Sequence, residues 1–83
     1  MPPHELHPGK IRWKCRRGML ELDIILLRFF DAKYEKLPPL LQKQFSDFLN
    51  EPDPLLFDWL LAHIVPEDKQ DVDMVNLILN HKE

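Results

Sequence analysis

Met19-Leu20-Glu21-Leu22-Asp23-Ile24-Ile25-Leu26-Leu27-Arg28-Phe29-Phe30-Asp31-Ala32-Lys33-Tyr34 is the stretch that decides the fold of this chain. Met19, Leu22, Leu26 and Phe29 recur at helical spacing with Ile25 and Phe30 beside them, and Leu20, Ile24 and Leu27 extend apolar character around the cylinder. A helix apolar on most sides needs neighbours on most sides, so this one is predicted to be the centre of the domain.

Working outward, Pro38 and Pro39 suit a helix start, and Leu41, Phe45, Phe48 and Leu49 form an apolar stripe that Asn50 closes. Asp53 and Pro54 read as an N-cap and a first helical position, opening a helix with Leu56, Trp59, Leu60 and His63 along it until Pro66. Glu67, Asp68 and Asp71 place negative charge at the start of a last helix, where the macrodipole favours it, and Val72, Val75, Ile78 and Leu79 form its stripe. On the other side of the central segment, Ile11, Trp13 and Cys15 mix with basic residues in a short helix that Gly18 stops at its C′ position. No segment alternates apolar and polar residues between hairpin turns. The expectation is an all-α single compact domain of about five short helices around a central apolar helix, spanning residues 10–83 behind a flexible tail at 1–9.

Eighty-three residues leave room for one core, and a chain 45% hydrophobic and 30% charged is rich enough in apolar side chains to build it. Cys15 is the sole cysteine, so no intramolecular disulfide forms and a reducing cytoplasm is the expected compartment. No apolar run is longer than Ile24–Leu27, far short of the roughly 20 residues that span a bilayer, and residues 1–9 lack the features of a secretory or transit signal. The net charge of −3 conceals an asymmetry. Five basic side chains against Glu5 give residues 1–17 a charge of +4, while six basic and thirteen acidic groups give the remainder −7.

Little here supports catalysis. The two glycines stand alone, which excludes a phosphate-binding loop, and Ser46 is the only serine. Cys15 beside Arg16 and Arg17 has the surroundings of a thiolate nucleophile, but a small residue on the packed side of the first helix is the preferred reading. His4 and His7 form an HxxH pair near the terminus, with His63 and His81 scattered, where a structural zinc site needs four organised ligands. No metal site and no enzymatic activity are expected. Lys10, Arg12, Lys14, Arg16 and Arg17 around Trp13 resemble a nucleic-acid footprint, yet the −7 elsewhere would repel a phosphate backbone. A solvated basic face, or one that docks on an acidic protein surface, is the better reading, and nucleic acid is not expected as a partner. Trp13 and Trp59 are both expected to pack in or beside the core.

The sharpest constellation is Arg16-Arg17-Gly18-Met19-Leu20-Glu21-Leu22-Asp23, a cationic helix end, a hinge and an acidic first turn within eight residues. Arg17 is expected to pair with Glu21 across the turn. An exposed pair of that kind contributes only about 0–1 kcal/mol, so the arrangement suits docking better than stability. Trp13-Lys14-Cys15-Arg16-Arg17-Gly18-Met19-Leu20-Glu21-Leu22-Asp23 contains an RGxxE signature, and the chain resembles the succinate dehydrogenase assembly factor family there and through Phe29-Phe30, the Tyr34 region and Asp53-Pro54-Leu55-Leu56-Phe57-Asp58-Trp59-Leu60.

The resemblance spans about residues 11–78 and implies a five-helix protein that binds the flavoprotein subunit of succinate dehydrogenase, with fumarate reductase as a second candidate, and promotes covalent FAD attachment. It implies a cytoplasmic monomer that binds no cofactor tightly itself and acts on a client that carries FAD. Arg17, Gly18 and Glu21 are the implied partner-binding residues, with Arg16 and Asp23 as neighbours. Because some members of the family are described as antitoxins, a regulatory protein-binding module is the alternative.

Overall fold

The computed structural model describes residues 8–80. Helix α1 runs Pro8–Lys14, α2 Leu20–Lys33, α3 Pro39–Phe48, α4 Asp53–Leu60 and α5 Lys69–Asn80, with a 3₁₀ turn over Tyr34–Lys36. No strand occurs among the described residues, and none of their helices is long and apolar enough to cross a membrane. Pro8 and Gly9, expected in the tail, form the first turn of α1, since proline is tolerated where helical N–H groups have no partner. His4, His7 and His81 lie outside the described residues.

The apolar pattern of α2 makes it the centre of the domain. Leu22, Leu26, Phe29 and Phe30 are buried, Met19, Ile25 and Leu27 pack against the core from partly buried positions, and the helix touches α4 and α5. Leu20 and Ile24, one turn apart and part of the apolar character expected on most sides of the helix, stay exposed as an apolar strip. Aromatic rings carry the packing toward α3: Phe29 meets Phe45 with centroids 5.3 Å apart, and Phe30 stacks on Tyr34 at 4.6 Å. Such pairs contribute about 0.5–1.5 kcal/mol beyond the area they bury. Phe48 and Trp59, 5.8 Å apart, join α3 to α4.

At seven residues α1 is too short to hold its shape alone, so its position depends on tertiary contacts. Ile11 and Cys15 are fully buried beneath it. Arg12 clamps it to α2 through both oxygens of Asp31, at 3.1 and 3.3 Å, and Lys14 Nζ donates to the backbone oxygen of Ser46 at 2.8 Å and to its hydroxyl at 3.1 Å.

Three local expectations are corrected. Asp53 is the first residue of α4 and Pro52 its N-cap, because the Asp53 carboxylate is engaged elsewhere. His63 lies beyond α4 instead of along it, exposed and in a left-handed conformation with φ 60°. The Ile64 N–H then donates back to the Asp58 carbonyl at 2.8 Å, so the chain turns before Pro66 is reached. In α5 the buried stripe is Met74, Val75 and Ile78, while Val72 is half-buried and Leu79 exposed.

Candidate functional site

Residues 15–19 join α1 to α2, and Gly18 occupies this bend with φ 84°. It therefore lies past the end of α1 and is not that helix's C′ residue, although the left-handed backbone anticipated for it is present. A Cβ added there would meet nothing within 4 Å, so Gly18 is required by conformation and leaves open space outside.

Arg17 is the structural key to the bend. Its guanidinium does not turn to Glu21; Nε donates to Asp53 Oδ1 at 2.7 Å, Nη1 to the carbonyls of Lys14 at 3.0 Å and Leu49 at 2.8 Å, and Nη2 to that of Glu51 at 2.9 Å. The last carbonyls of a helix have no intrahelical donor and carry the negative end of its dipole. Arg17 supplies donors at the end of α1 and just past the end of α3, and binds the acidic first residue of α4. With its side chain 16% exposed, this is a three-helix clasp and not a surface ion pair. A planar fork of five N–H groups can make all four bonds together; an ammonium cannot.

Asp23 completes the bend from the other side. Its carboxylate reaches back from the first turn of α2 to accept the Arg17 backbone N–H at 2.6 Å. The adjacent Arg17 and Asp23 side chains thus hold the turn, whereas Arg16, Gly18 and Glu21 face solvent. The implied site residues divide into a supporting pair and an exposed trio.

The exposed trio has apolar company that the sequence reading missed. Trp13, expected in or beside the core, is 72% exposed with the Arg16 guanidinium 5.8 Å from its ring centroid, and Leu20 is equally exposed beside Glu21. Trp13 before the bend and Leu20 and Ile24 after it are thus large apolar side chains left in solvent, the kind of residue that anchors a protein contact. Helical spacing left Trp13 unresolved because α1 is too short to fix which face it buries. The Asp53 clasp was equally invisible, since its partner lies 36 residues away in sequence.

The other proposed chemistries find no support in the geometry. Cys15 is fully buried, its thiol donates to the Ile11 carbonyl at 3.6 Å, and burial pushes its pKa up to about 12, so it is a packed side chain and not a thiolate. Trp59 is buried in the core. Lys14 and Arg17 are engaged in part-buried contacts and Arg12 pairs with Asp31 at the surface, so the basic run is not a free cationic strip. Among the described residues no group of three or more histidine, cysteine, aspartate or glutamate side chains could hold a metal ion.

Comparison with known proteins gives a concordant answer. Residues 9–82 match the family described as flavinator of succinate dehydrogenase. An FAD assembly factor SdhE of Coxiella burnetii (strain RSA 493 / Nine Mile phase I) is 56% identical over 61 residues, which cover 74% of each chain. Proteins of the same name are 43% identical over 73 residues in Vibrio vulnificus (strain CMCP6), covering 88% of this chain and 85% of the relative, and 44% identical over 70 residues in Yersinia pestis, covering 84% and 80%.

Proposed function

The chain belongs to the family of succinate dehydrogenase flavinators, and from that premise we propose that it binds the enzyme's flavoprotein subunit and promotes covalent attachment of FAD to it. The observation that supports this most is the exposed corner formed by Trp13, Arg16, Gly18, Leu20 and Glu21 on a turn made rigid by Arg17 and Asp23. A preformed surface loses little conformational entropy on binding, so its contacts go into affinity. Trp13 and Leu20 supply apolar anchors, Arg16 and Glu21 give charge-matched orientation, and Gly18 lets the client backbone approach. Arg17 acts indirectly, by fixing the turn.

The chain itself need hold no flavin. Bond formation belongs to the client and its FAD; by binding the client conformation in which they are aligned, a cytoplasmic monomer of this chain raises its population. The test is to mix the client subunit lacking flavin with FAD and this chain and to read flavin fluorescence on the denatured client. Glu21→Ala should lower the attachment rate without altering the helical circular dichroism. Gly18→Asn should fold, because asparagine tolerates left-handed backbone and the space outside is open, yet fail to form a stable complex. Undiminished complex formation by both variants would move the docking surface elsewhere. The same assay with the flavoprotein subunit of fumarate reductase tests the second client.

A further inference from the structure

Along α4, a groove of about 420 Å³ lies between that helix, the loop after it and the start of α5. Leu55, Trp59, Ile64, Val65 and Pro66 provide its apolar lining, and Ile64 and Val65 are 53% and 75% exposed. Glu51, Asp58, Glu67, Asp68 and Asp71 line the same groove, and none of the five takes part in an ion pair among the described residues. Lys69, the nearest cation in sequence, pairs with Asp73 on the next turn instead. Burial raises the pKa of Asp71, and Glu51 and Asp68 raise it further, so the carboxylates oppose one another in the folded chain.

We propose that this groove receives a segment of a partner protein in which a large apolar side chain is flanked by lysine or arginine. Apolar area left in water beside five carboxylates without cationic partners among the described residues fits one chemistry: an apolar anchor in the cleft and cations at the acidic lining. Nucleic acid would be repelled, and the chain's own residues 1–7 contain no lysine or arginine. A second copy offering Trp13 and Arg16 would make a head-to-tail contact, which builds a ring or a filament and covers the corner assigned above to the client. The groove proposal does not depend on that assignment.

Titration of the isotopically labelled full chain by nuclear magnetic resonance tests it, using a synthetic peptide with a Leu-Phe centre between two pairs of lysines. Shift changes should concentrate at Leu55, Ile64, Val65, Asp68 and Asp71, and affinity should fall with added salt. Asp68→Asn with Asp71→Asn should weaken binding about tenfold or more, as should Val65→Ser, while Glu21→Ala leaves it unchanged. Removing mutually repelling charges should not destabilise the chain, so lost binding by the asparagine pair cannot be ascribed to unfolding. The proposal is overturned if a serine-centred peptide of equal charge binds as well, if the asparagine pair retains full affinity, if shifts map to Trp13–Ile24, or if sedimentation shows the groove occupied by a second copy.

Discussion

Two turns in this molecule pass through left-handed backbone, and they are built in opposite ways. In the turn before α2 the left-handed position is a glycine, which adopts it without strain, and a nearby arginine and aspartate make five hydrogen bonds between them. In the turn after α4 the strained position is His63, and burial together with Glu51 and Asp68 raises the pKa of Asp71 nearby. One turn is satisfied within the chain and presents its neighbours rigidly. The other is left with strain and charge that the fold does not relieve.

Breaking the satisfied turn should have the largest effect. Arg17→Ala removes four donated bonds and leaves three backbone carbonyls and the Asp53 carboxylate without that donor. Lost donors at part-buried acceptors and a broken part-buried ion pair together suggest a loss of about 2–4 kcal/mol in urea unfolding. Arg17→Lys should recover only part of that, since one ammonium cannot reproduce the fork. If either variant unfolded at the wild-type urea concentration, Arg17 would not be the clasp described here, and a direct contact with the client would become its better role.

That outcome bears on how much was legible beforehand. The helices were readable because Leu22, Leu26, Phe29 and Phe45 repeat with the period of the structure they form, and the prolines and glycines stand near its breaks. The corner was readable as a motif, but not its division of labour. Arg17 and Glu21 are four residues apart and invited a local pair, whereas the partner chosen, Asp53, becomes a neighbour only once α3 and α4 have folded back. The spacing of His63 fits the α4 helix, but the backbone turns at Leu61 and Ala62 before reaching it. Local pattern reports periodicity; the positions where the chain leaves a helix depend on what the next helix packs against.

Reversing the residue choice at the two left-handed positions should move stability in opposite directions. Gly18→Ala forces a Cβ into left-handed backbone without a clash, a loss of about 1 kcal/mol. His63→Gly removes the same kind of strain, offset in part by the greater freedom of glycine in the unfolded chain, so a gain of about 0.5–1 kcal/mol is expected. Thermal unfolding of both variants reads the comparison directly. A loss at His63→Gly would mean that the side chain's contribution outweighs the backbone strain.

The smallest effect should come from Asp71, and its pH dependence carries the information. Burial first, then Glu51 and Asp68, raise this carboxyl above its ordinary 3.8, so the folded chain holds the proton more tightly than the unfolded chain. The stabilisation from that proton is fully present below the unfolded pKa and is lost as pH rises through the folded one. At neutral pH the ionised Asp71 is therefore a burden that Asp71→Asn removes. The variant should melt slightly higher than wild type at pH 7, and the difference should shrink as acidification protonates the natural side chain. A difference that stayed constant with pH would show that the asparagine acts through packing or hydrogen bonding instead. The contrast between a satisfied turn and a self-repelling one would then rest on backbone strain alone.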